Sequence, residues 1–540
     1  MTQTCDIGFK PFNLKAKVKK GTSIFNAAKM QNIVLRSDCG EKGTCGKCAV
    51  IVENTENLSP ANRAEKKVLS SSQLKSFYRL ACQAEVLGHV TITIPEDLAI
   101  SSEVYGKAGM QGIFPVNPGA KRDKQTSLGF AFDIGTTTIA AYLCDLKSGR
   151  ILTSKAIVNP QRQYGEDVIA RIAAVNEDEA NLEKQQKLAV EAMNELIKFC
   201  LETNRSVKKD IDEITVVGNT TMEHILAGLN PKNIGVSPYL PVTNSSVVTN
   251  AHDLGLDLPS EVSVYIFPVI SGFLGGDILS ALLADQSHKR KETSLIIDIG
   301  TNGELMLCNN KGMWGTSCAT GPALEGAQIS CGMRASSGAI SKVFFHPEAE
   351  NRIVFETIGN IEARGVCGSG IIDALAAMRK ADVTLENGTF NSDHPNVVCN
   401  AKGVGKKFMF PKSHVYITLK DVRQVQLAKA ALFVGIESLL EKAGVKQVDR
   451  TILTGAFGAK FNWRNARDIG MLPGLILKGK VESAQNLAGT GAVIALLDVD
   501  KRVEIATIAR RINFLDLSSE PDFTLKFSAA TQFPAIGNFS

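Results

Sequence analysis

The chain has 540 residues, 44% hydrophobic and 21% charged, with a formal net charge of +5. That length exceeds a single hydrophobic core and calls for about two to four domains. No apolar run reaches the length of a membrane span, the opening MTQTCDIGFKPFNLKAKVKK lacks a signal-peptide core, and basic and aromatic residues are not clustered, so neither a membrane nor a nucleic acid is expected as partner.

A cytoplasmic location is the default reading, and there the twelve cysteines are not expected to pair as disulfides. Clustered cysteines read instead as metal ligands. Residues 1–97 hold 14 Lys+Arg against 9 Asp+Glu, which is the whole of the net charge. A basic module of this kind either presents a solvated face or steers toward an acidic protein partner.

In chain order, residues 6–20 and 47–53 read as strands. Between them TSIFNAAKMQ (22–31) reads as a short helix with Ile24, Ala27 and Ala28 on one face. The loop DCGEKGTCGKC (38–48) follows, carrying Cys39, Cys45 and Cys48, and Cys82 comes later in RLACQAEV, before the strand VTITIP. Gly40, Gly43 and Gly46 suit a loop that must adopt positive φ and bring its amides close to sulfur. Four thiolates can hold zinc or an iron–sulfur cluster, and unligated core cysteines are the third reading. Zinc sites usually pair two CxxC knuckles, whereas this stretch has one CxxC and two single cysteines. The spacing C-x5-C-x2-C-x33-C resembles the [2Fe–2S] ferredoxins of the adrenodoxin and plant type. The eight other cysteines are scattered, as small core residues are.

Residues 98–128 are rich in Gly, Lys and Ser and read as a linker. Beyond it, FDIGTTTIAAYLCDL (132–146) and SLIIDIGTNGELMLC (294–308) form an internal repeat: apolar strand, Asp-Ile-Gly-Thr, second strand, with Asp133 and Asp298 165 residues apart. Gly135 and Gly300 open each turn, so that the amides and side chains of Thr136, Thr137, Thr301, Asn302 and Gly303 can approach phosphate oxygens. Asp133 and Asp298, at the strand ends, can hold Mg²⁺ directly or through water. One such turn would pass as ordinary; two at domain-scale separation do not.

The repeat resembles the actin, sugar kinase and Hsp70 ATPase superfamily, in which two ribonuclease H-like lobes clamp ATP. The resemblance implies roles for the remaining segments. EITVVGNTTMEHIL (213–226) looks like the first connecting segment and NLAGTGAVIALL (486–497) like the second, its small residues permitting close helix contact. RTILTGAFGAKFN (450–462) looks like the adenosine motif, with Gly455, Ala456 and Gly458 in its turn. The helix expected over 421–444 puts Gln426 and Lys429 where they would either pack in the core or line the nucleoside pocket. ISGFLGGDILSALLA (270–284) places Asp277 at the start of a helix, where it takes the role of positioning the attacking water; its plainer reading is a carboxylate favoured by the helix dipole. Glu325 is a further candidate at the metal, and GVCGSGIIDALAA (365–377) is either a helix start near the nucleotide or a close-packed turn. GLILKGKV (474–481) misses a phosphate-binding P-loop, because Val481 stands where Ser or Thr is needed.

The whole arrangement resembles the reductive activators of corrinoid proteins. NPQRQYGEDVIARI (159–172), VVGNTTMEHILAG, DIGTNGEL, GPALEGAQI, CGSGIIDAL, DVRQVQLAKAAL and TGAFG all look like that family. The resemblance implies an α/β and α+β multidomain fold: a β-grasp [2Fe–2S] ferredoxin-like domain (1–97), a linker (98–128) and a two-lobed ATPase domain (129–540). Its lobes would span about 129–290 and 291–500, with a C-terminal extension over 501–540. It further implies a [2Fe–2S] cluster on Cys39, Cys45, Cys48 and Cys82, ATP with Mg²⁺, a corrinoid protein as partner, an electron donor and a homodimer. Longer members carry a small middle domain where this chain has only the linker, and the absence of cysteine after Cys399 favours the [2Fe–2S] branch. The expected activity is ATP-dependent reduction of cob(II)alamin to cob(I)alamin. The competing readings are activation of another low-potential enzyme, or a small-molecule kinase with a regulatory cluster.

Overall fold

The computed structural model describes residues 4–10, 14–31, 33, 35, 41–44, 46–95, 112–117, 126–326, 328–349, 352–399, 405–455 and 461–535. Strand alternation builds the first unit: in Thr4–Lys10, Cys5, Ile7 and Phe9 turn inward and are buried while their neighbours face solvent. The five-stranded sheet runs Leu14–Lys19, Thr4–Lys10, Val90–Thr93, Ala49–Val52, Tyr78–Leu80. Thr4–Lys10 and Val90–Thr93 are parallel and the other neighbours antiparallel. A parallel pair needs a long crossover, and here residues 11–89 make it, with the helix Ile24–Lys29 and the three other strands of the sheet along the way. Ser23 caps that helix by accepting from the Asn26 N–H, and Ile24, Phe25, Ala27 and Ala28 are buried against the sheet. This is the β-grasp arrangement.

The two DIGT segments open two further sheets of six strands each. The first lobe orders Ile151–Val158, Thr138–Asp145, Leu128–Ile134, Ile211–Gly218, Ser263–Ile266, Val247–Asn250. The second orders Lys480–Ser483, Arg450–Thr454, Ser294–Ile299, Gly303–Asn309, Gly312–Cys318, Ile512–Phe514. In each, a DIGT hairpin continues into a third antiparallel strand on one side and meets parallel strands on the other. The internal repeat is therefore a repeat of topology. Residues 501–540, expected as an extension, contribute the edge strand Ile512–Phe514 and the helix Phe523–Ala530 to the second lobe.

The facing sides of both sheets share one core. Ala140, Tyr142 and Val217 of the first lobe and Ile296, Met306 and Ile452 of the second pack on the same two helices, Gly276–Asp285 and Leu487–Leu497. A Cβ on Gly491 would collide with the Ser280 carbonyl, so these helices touch backbone to backbone. Arg450 of the second lobe grips the last residue of the first helix through a two-pronged pair with Asp285, 2.7 Å on each arm. The helix paired with 487–497 is thus Gly276–Asp285. Residues 213–226, expected to connect the lobes, form most of the strand Ile211–Gly218 and the helix Thr220–Leu226 within the first lobe. An apolar strand–turn–helix stretch carries no sign of which lobe boundary it lies at.

Within the linker, residues 112–117 lie on the first lobe, with Phe114 N–H donating to Gly149 O at 2.9 Å and Asn117 N–H to Leu497 O at 3.0 Å. Among the described residues, no helix is long and apolar enough to cross a membrane.

Candidate functional site

The two DIGT turns sit at equivalent strand ends and differ in length by one residue. Gly135 N–H closes on Thr138 O and Gly300 N–H on Asn302 O, each at 2.9 Å. Asp133 pairs across its hairpin with Ala140 and Asp298 with Glu304, so both aspartates sit one residue before the strand end. The two turns face one cleft, lined by Asp133, Gly135, Thr136, Thr137, Asp277, Asp298, Gly300, Thr301, Asn302 and Gly455, together with Asn219, Glu304, Glu325, Asn486, Leu487 and Ala488. Most of the residues singled out in the sequence therefore converge. Gly303 does not line the cleft; a Cβ there would press on Leu432 and Thr320 at 3.1 Å, so it packs beneath the turn. Nor does the helix Gly368–Lys380: Gly370 lies against the Ile340 carbonyl, so that glycine-rich stretch is a helix start, packed closely on its neighbour and away from the cleft.

Asp277 stands in the first turn of Gly276–Asp285, and Asn486 caps Leu487–Leu497 from a left-handed conformation, its side chain accepting from Gly489 N–H. Both helices thus point their electropositive starts at the cleft. The described lining holds five carboxylates and no Lys, Arg or His. Burial, then the charges of Asp277 and Asp298, push the Glu304 carboxyl well above the usual range. Glu223, just behind, is pushed up by burial and by Asp277, while its Oε1 accepts from Gly218 N–H at 2.9 Å. The sequence does not single out Glu223 or Glu304, because nothing local separates a buried glutamate from an exposed one.

The space beside the lining side chains is about 90 Å³, below the ~300–1,000 Å³ of sites that take whole drug-sized ligands. Glu325 lies across it. Thr301 Oγ1 donates to Glu325 Oε1 at 2.7 Å and Thr137 Oγ1 to Oε2 at 3.1 Å, so one carboxylate ties together the turns of both lobes. Behind the first turn, Asn159 donates its N–H to Thr137 O and its Nδ2 to Gly135 O, both at 2.9 Å. Arg171, fully buried, donates to the Thr136 carbonyl. Asn219 Nδ2 donates to Thr136 Oγ1 at 2.9 Å.

At the far end, a Cβ on Gly455 would strike the Asp298 carboxylate, and the residue has φ +93°. Only glycine serves there. Ala456 and Gly458 lie outside the described residues. Gln426 and Lys429 do not line the cleft. Gln426 Nε2 donates to Thr531 O at 2.9 Å, and Lys429 Nζ donates to the carbonyls of Ala530 and Gln532, 5.5 Å from the Phe533 ring centroid. The C-terminal segment therefore covers this face of the helix Leu419–Lys442.

Burial lowers the Lys429 amine from 10.5 to about 7. Between those values the unfolded chain holds a proton that the folded chain lacks, so stability rises with pH across the window. Urea unfolding of the wild type from pH 7 to 10 should therefore show a steeper rise than Lys429→Met. Parallel slopes would show that the amine is charged in the fold.

In the N-terminal unit, Cys48 Sγ and Cys82 Sγ lie 3.4 Å apart. That is too long for a disulfide, at ~2.05 Å, and close to the ~3.8 Å separating two thiolates on one tetrahedral metal with ~2.3 Å bonds. Cys39 and Cys45 lie outside the described residues. Gly43 and Gly46 have φ of +69° and +74°, the left-handed turns expected of a wrapping loop. Of the scattered cysteines, Cys5, Cys144, Cys200, Cys308, Cys318 and Cys367 are buried, and burial holds the Cys200 and Cys308 thiols up at about 12, as inert core groups. Among the described residues, no three His, Cys, Asp or Glu side chains converge as a ready-made metal cage. The cleft carboxylates surround a space rather than a point, which suits a cation held largely by water and phosphate oxygens.

Comparison with known proteins covers the chain nearly end to end. Residues 10–87 match the 2Fe-2S iron-sulfur cluster binding domain, 128–290 the RACo middle region and 292–539 the C-terminal domain of RACo, the ASKHA domain. The corrinoid activation enzyme RamQ of Eubacterium limosum is 34% identical over 459 residues, 80% of this chain and 76% of that protein. The [Co(II) methylated amine-specific corrinoid protein] reductase of Methanosarcina barkeri is 25% identical over 65% of this chain and 66% of its own length. Among solved structures, a reductive activator for corrinoid, iron-sulfur protein superposes with a TM-score of 0.68 at 28% identity, covering 98% of both chains.

Proposed function

The chain belongs to the reductive activators of corrinoid proteins, and from that premise we propose that it reduces the cob(II)alamin of a partner corrinoid protein to cob(I)alamin in an ATP-dependent reaction. One electron enters from a low-potential donor, passes through the N-terminal unit and leaves to cobalt, restoring the nucleophile of a methyl-transfer system. The observation that carries this reading is the presence, in one chain, of a thiolate pair 3.4 Å apart in a ferredoxin-like unit and of two facing DIGT turns in a two-lobed cleft.

Cys39, Cys45, Cys48 and Cys82 are assigned as the ligands of a [2Fe–2S] cluster. Such a cluster supplies one-electron carriage, near −400 mV in plant-type ferredoxins. Passing an electron to a lower-potential acceptor costs a factor of about ten in equilibrium per ~59 mV, and the ATPase lobes are the part of the chain able to offset that cost. In the cleft, the amides and hydroxyls of the Gly135–Thr137 and Gly300–Asn302 turns are assigned to the phosphates, and Asp133 and Asp298 to Mg²⁺ through its waters. With five carboxylates and no cationic side chain in the described lining, the cation is what makes a polyphosphate tolerable there. Asp277 is assigned to orient the attacking water. Adenosine is placed toward Gly455, Ala456 and Gly458; Gln426 and Lys429 would reach it only if the backbone of residues 530–532 moved aside. A homodimer and a separate electron donor complete the proposal.

Gly300 offers a clean test of the phosphate assignment. Its φ is not positive, and an added Cβ would find its nearest neighbour, Asn302 O, at 3.8 Å. The turn itself does not require glycine, so its bareness serves whatever enters the cleft. Gly300→Ala is expected to unfold with the wild type and to bind ATP at least about tenfold more weakly, a loss of ~1.4 kcal/mol. Unchanged affinity by calorimetry would remove the turn from the phosphate site.

The activity is tested by anaerobic mixing of the reduced protein with cob(II)alamin-loaded corrinoid proteins, with and without ATP, following the cobalt spectrum. Cob(I)alamin should appear with ATP and stall without it. Equal formation in both would separate the nucleotide cleft from the redox reaction.

A further inference from the structure

The N-terminal unit stands on both lobes, and each foothold hangs from a DIGT turn. On the second lobe, Lys47, the residue preceding Cys48, donates its Nζ to Ile329 O at 3.0 Å and to Ser330 O at 3.4 Å. On the first, Lys29 Nζ sits 4.2 Å from the centroid of the Tyr164 ring. Tyr164 ends the short turn Pro160–Tyr164, whose capping residue Asn159 holds Gly135 and Thr137. Ile329 and Ser330 lie just beyond Glu325, the carboxylate that holds Thr137 and Thr301. Ser330 is fixed in turn to the start of Leu419–Lys442, with its N–H and Oγ bonded to Asp421 Oδ1 at 2.8 and 3.0 Å.

A phosphate chain entering this cleft meets Glu325 as a rival. The carboxylate is an acceptor only, as is a phosphate oxygen, so both compete for the same two threonine hydroxyls. They also repel as like charges. A phosphate on those hydroxyls therefore displaces the Glu325 carboxylate, and Ile329 lies four residues further along the chain. We propose that Glu325 is a latch: occupation of the cleft by nucleotide phosphates withdraws it from Thr137 and Thr301 and thereby releases the Lys47 foothold, freeing the Lys47–Cys48 edge of the N-terminal unit from the second lobe while Lys29 remains on Tyr164. The unit then turns about its first-lobe contact, and the Cys48 side of the unit, where a cluster would be held, becomes available to the acceptor. Interfaces of this kind between domains are small and reversible. Because coupling is reciprocal, docking of the unit opposes nucleotide binding to the same degree that nucleotide opposes docking.

The inference rests on the cleft being a nucleotide site, and one set of measurements on the full-length, cluster-loaded protein keeps the two apart. Binding of the non-hydrolysable analogue AMP-PNP with Mg²⁺ is measured by calorimetry for wild type, Lys47→Ala and Lys29→Ala, with cluster content checked by visible absorption. Hydrogen exchange of peptides covering 46–52 and 328–334 is followed with and without the analogue. The expected results are faster exchange in both peptides when nucleotide is bound, and nucleotide binding at least about tenfold tighter in Lys47→Ala, the effect of one lost charged hydrogen bond on the docked state. General damage to the fold would weaken binding, so tightening reports the latch. Lys29→Ala should tighten binding less, because that contact persists in both states. If the analogue binds wild type and Lys47→Ala equally and neither peptide changes, the latch is overturned and the nucleotide site stands. If no analogue binds at all, both fall.

Discussion

Cys82→Ser is expected to abolish the visible absorption of the cluster and to bring cob(I)alamin formation down to the level seen without the protein. The physical case is the sulfur pair. Cys82 Sγ sits 3.4 Å from Cys48 Sγ, close to the ~3.8 Å between two thiolates sharing one metal ion. A serine oxygen is a harder, more basic donor that iron–sulfur centres take poorly in place of thiolate. Cys82 is only half-buried at the edge of the core, and serine has nearly its shape, so the unit should keep its fold. Cys48 is 1% exposed and belongs to the packed core, so Cys48→Ser should lose the cluster and some stability as well. The check is absorption and electron paramagnetic resonance of the reduced protein beside circular dichroism of the fold. A Cys82→Ser protein with its cluster signal and cobalt reduction intact would refute the ligand assignment and with it the electron path.

Arg171→Met is expected to destabilise the first lobe by several kcal/mol and to weaken nucleotide binding. Arg171 is fully buried and donates to the Thr136 carbonyl, to Gly165 O at 3.1 Å, to Gln161 Oε1 at 3.3 Å and to Met222 Sδ at 2.9 Å. Burial lowers its guanidinium to about 9 from 12.5, with Glu166 opposing the shift, so it is still charged at neutral pH. Methionine fills the volume and relieves the cost of burying that charge, but it leaves the acceptors without a donor, at about 1–3 kcal/mol each. The balance is a loss of about 2–4 kcal/mol, concentrated where the 160–172 segment holds the first DIGT turn. Arg171→Lys should not rescue it, because an ammonium cannot reach acceptors arranged for a planar fork. Urea unfolding and calorimetry with AMP-PNP read both effects. An Arg171→Met protein that unfolds at the wild-type midpoint would show that these bonds contribute nothing net.

Much of this architecture is legible in the order of the residues. The cysteine loop announces itself because a metal cage constrains neighbours: Cys48 lies two residues beyond Gly46, and the glycines take the left-handed angles such a loop needs. The DIGT turns are equally local, each a strand end, a carboxylate and a tight turn within five residues. Their repetition at a distance of 165 residues is enough to point to two lobes, and those lobes have matching sheets. The wiring between the lobes is not legible in this way. The segment 213–226 reads as connective and is internal to one lobe, while the helix at 276–285 draws notice for Asp277 and not for its packing on 487–497. Gln426 and Lys429 suit either core or pocket by their spacing, and the C-terminal carbonyls that engage them lie about a hundred residues further on.

The sequence alone determined the parts of this protein: a thiolate loop, two phosphate-type turns and the basic balance of the N-terminal unit. Each is dictated by residues a few positions apart, where backbone geometry and ligand chemistry act directly. Only the tertiary structure decided how the parts act on one another. Glu325 reaches Thr137 across 188 residues and Lys47 reaches Ile329 across 282. Such pairings are set by the packing of whole sheets and helices, in which an individual glutamate or lysine contributes too little to leave a mark on the pattern around it. The energy that places these groups resides in the apolar core between the lobes, and the chemistry they perform follows from where that core leaves them.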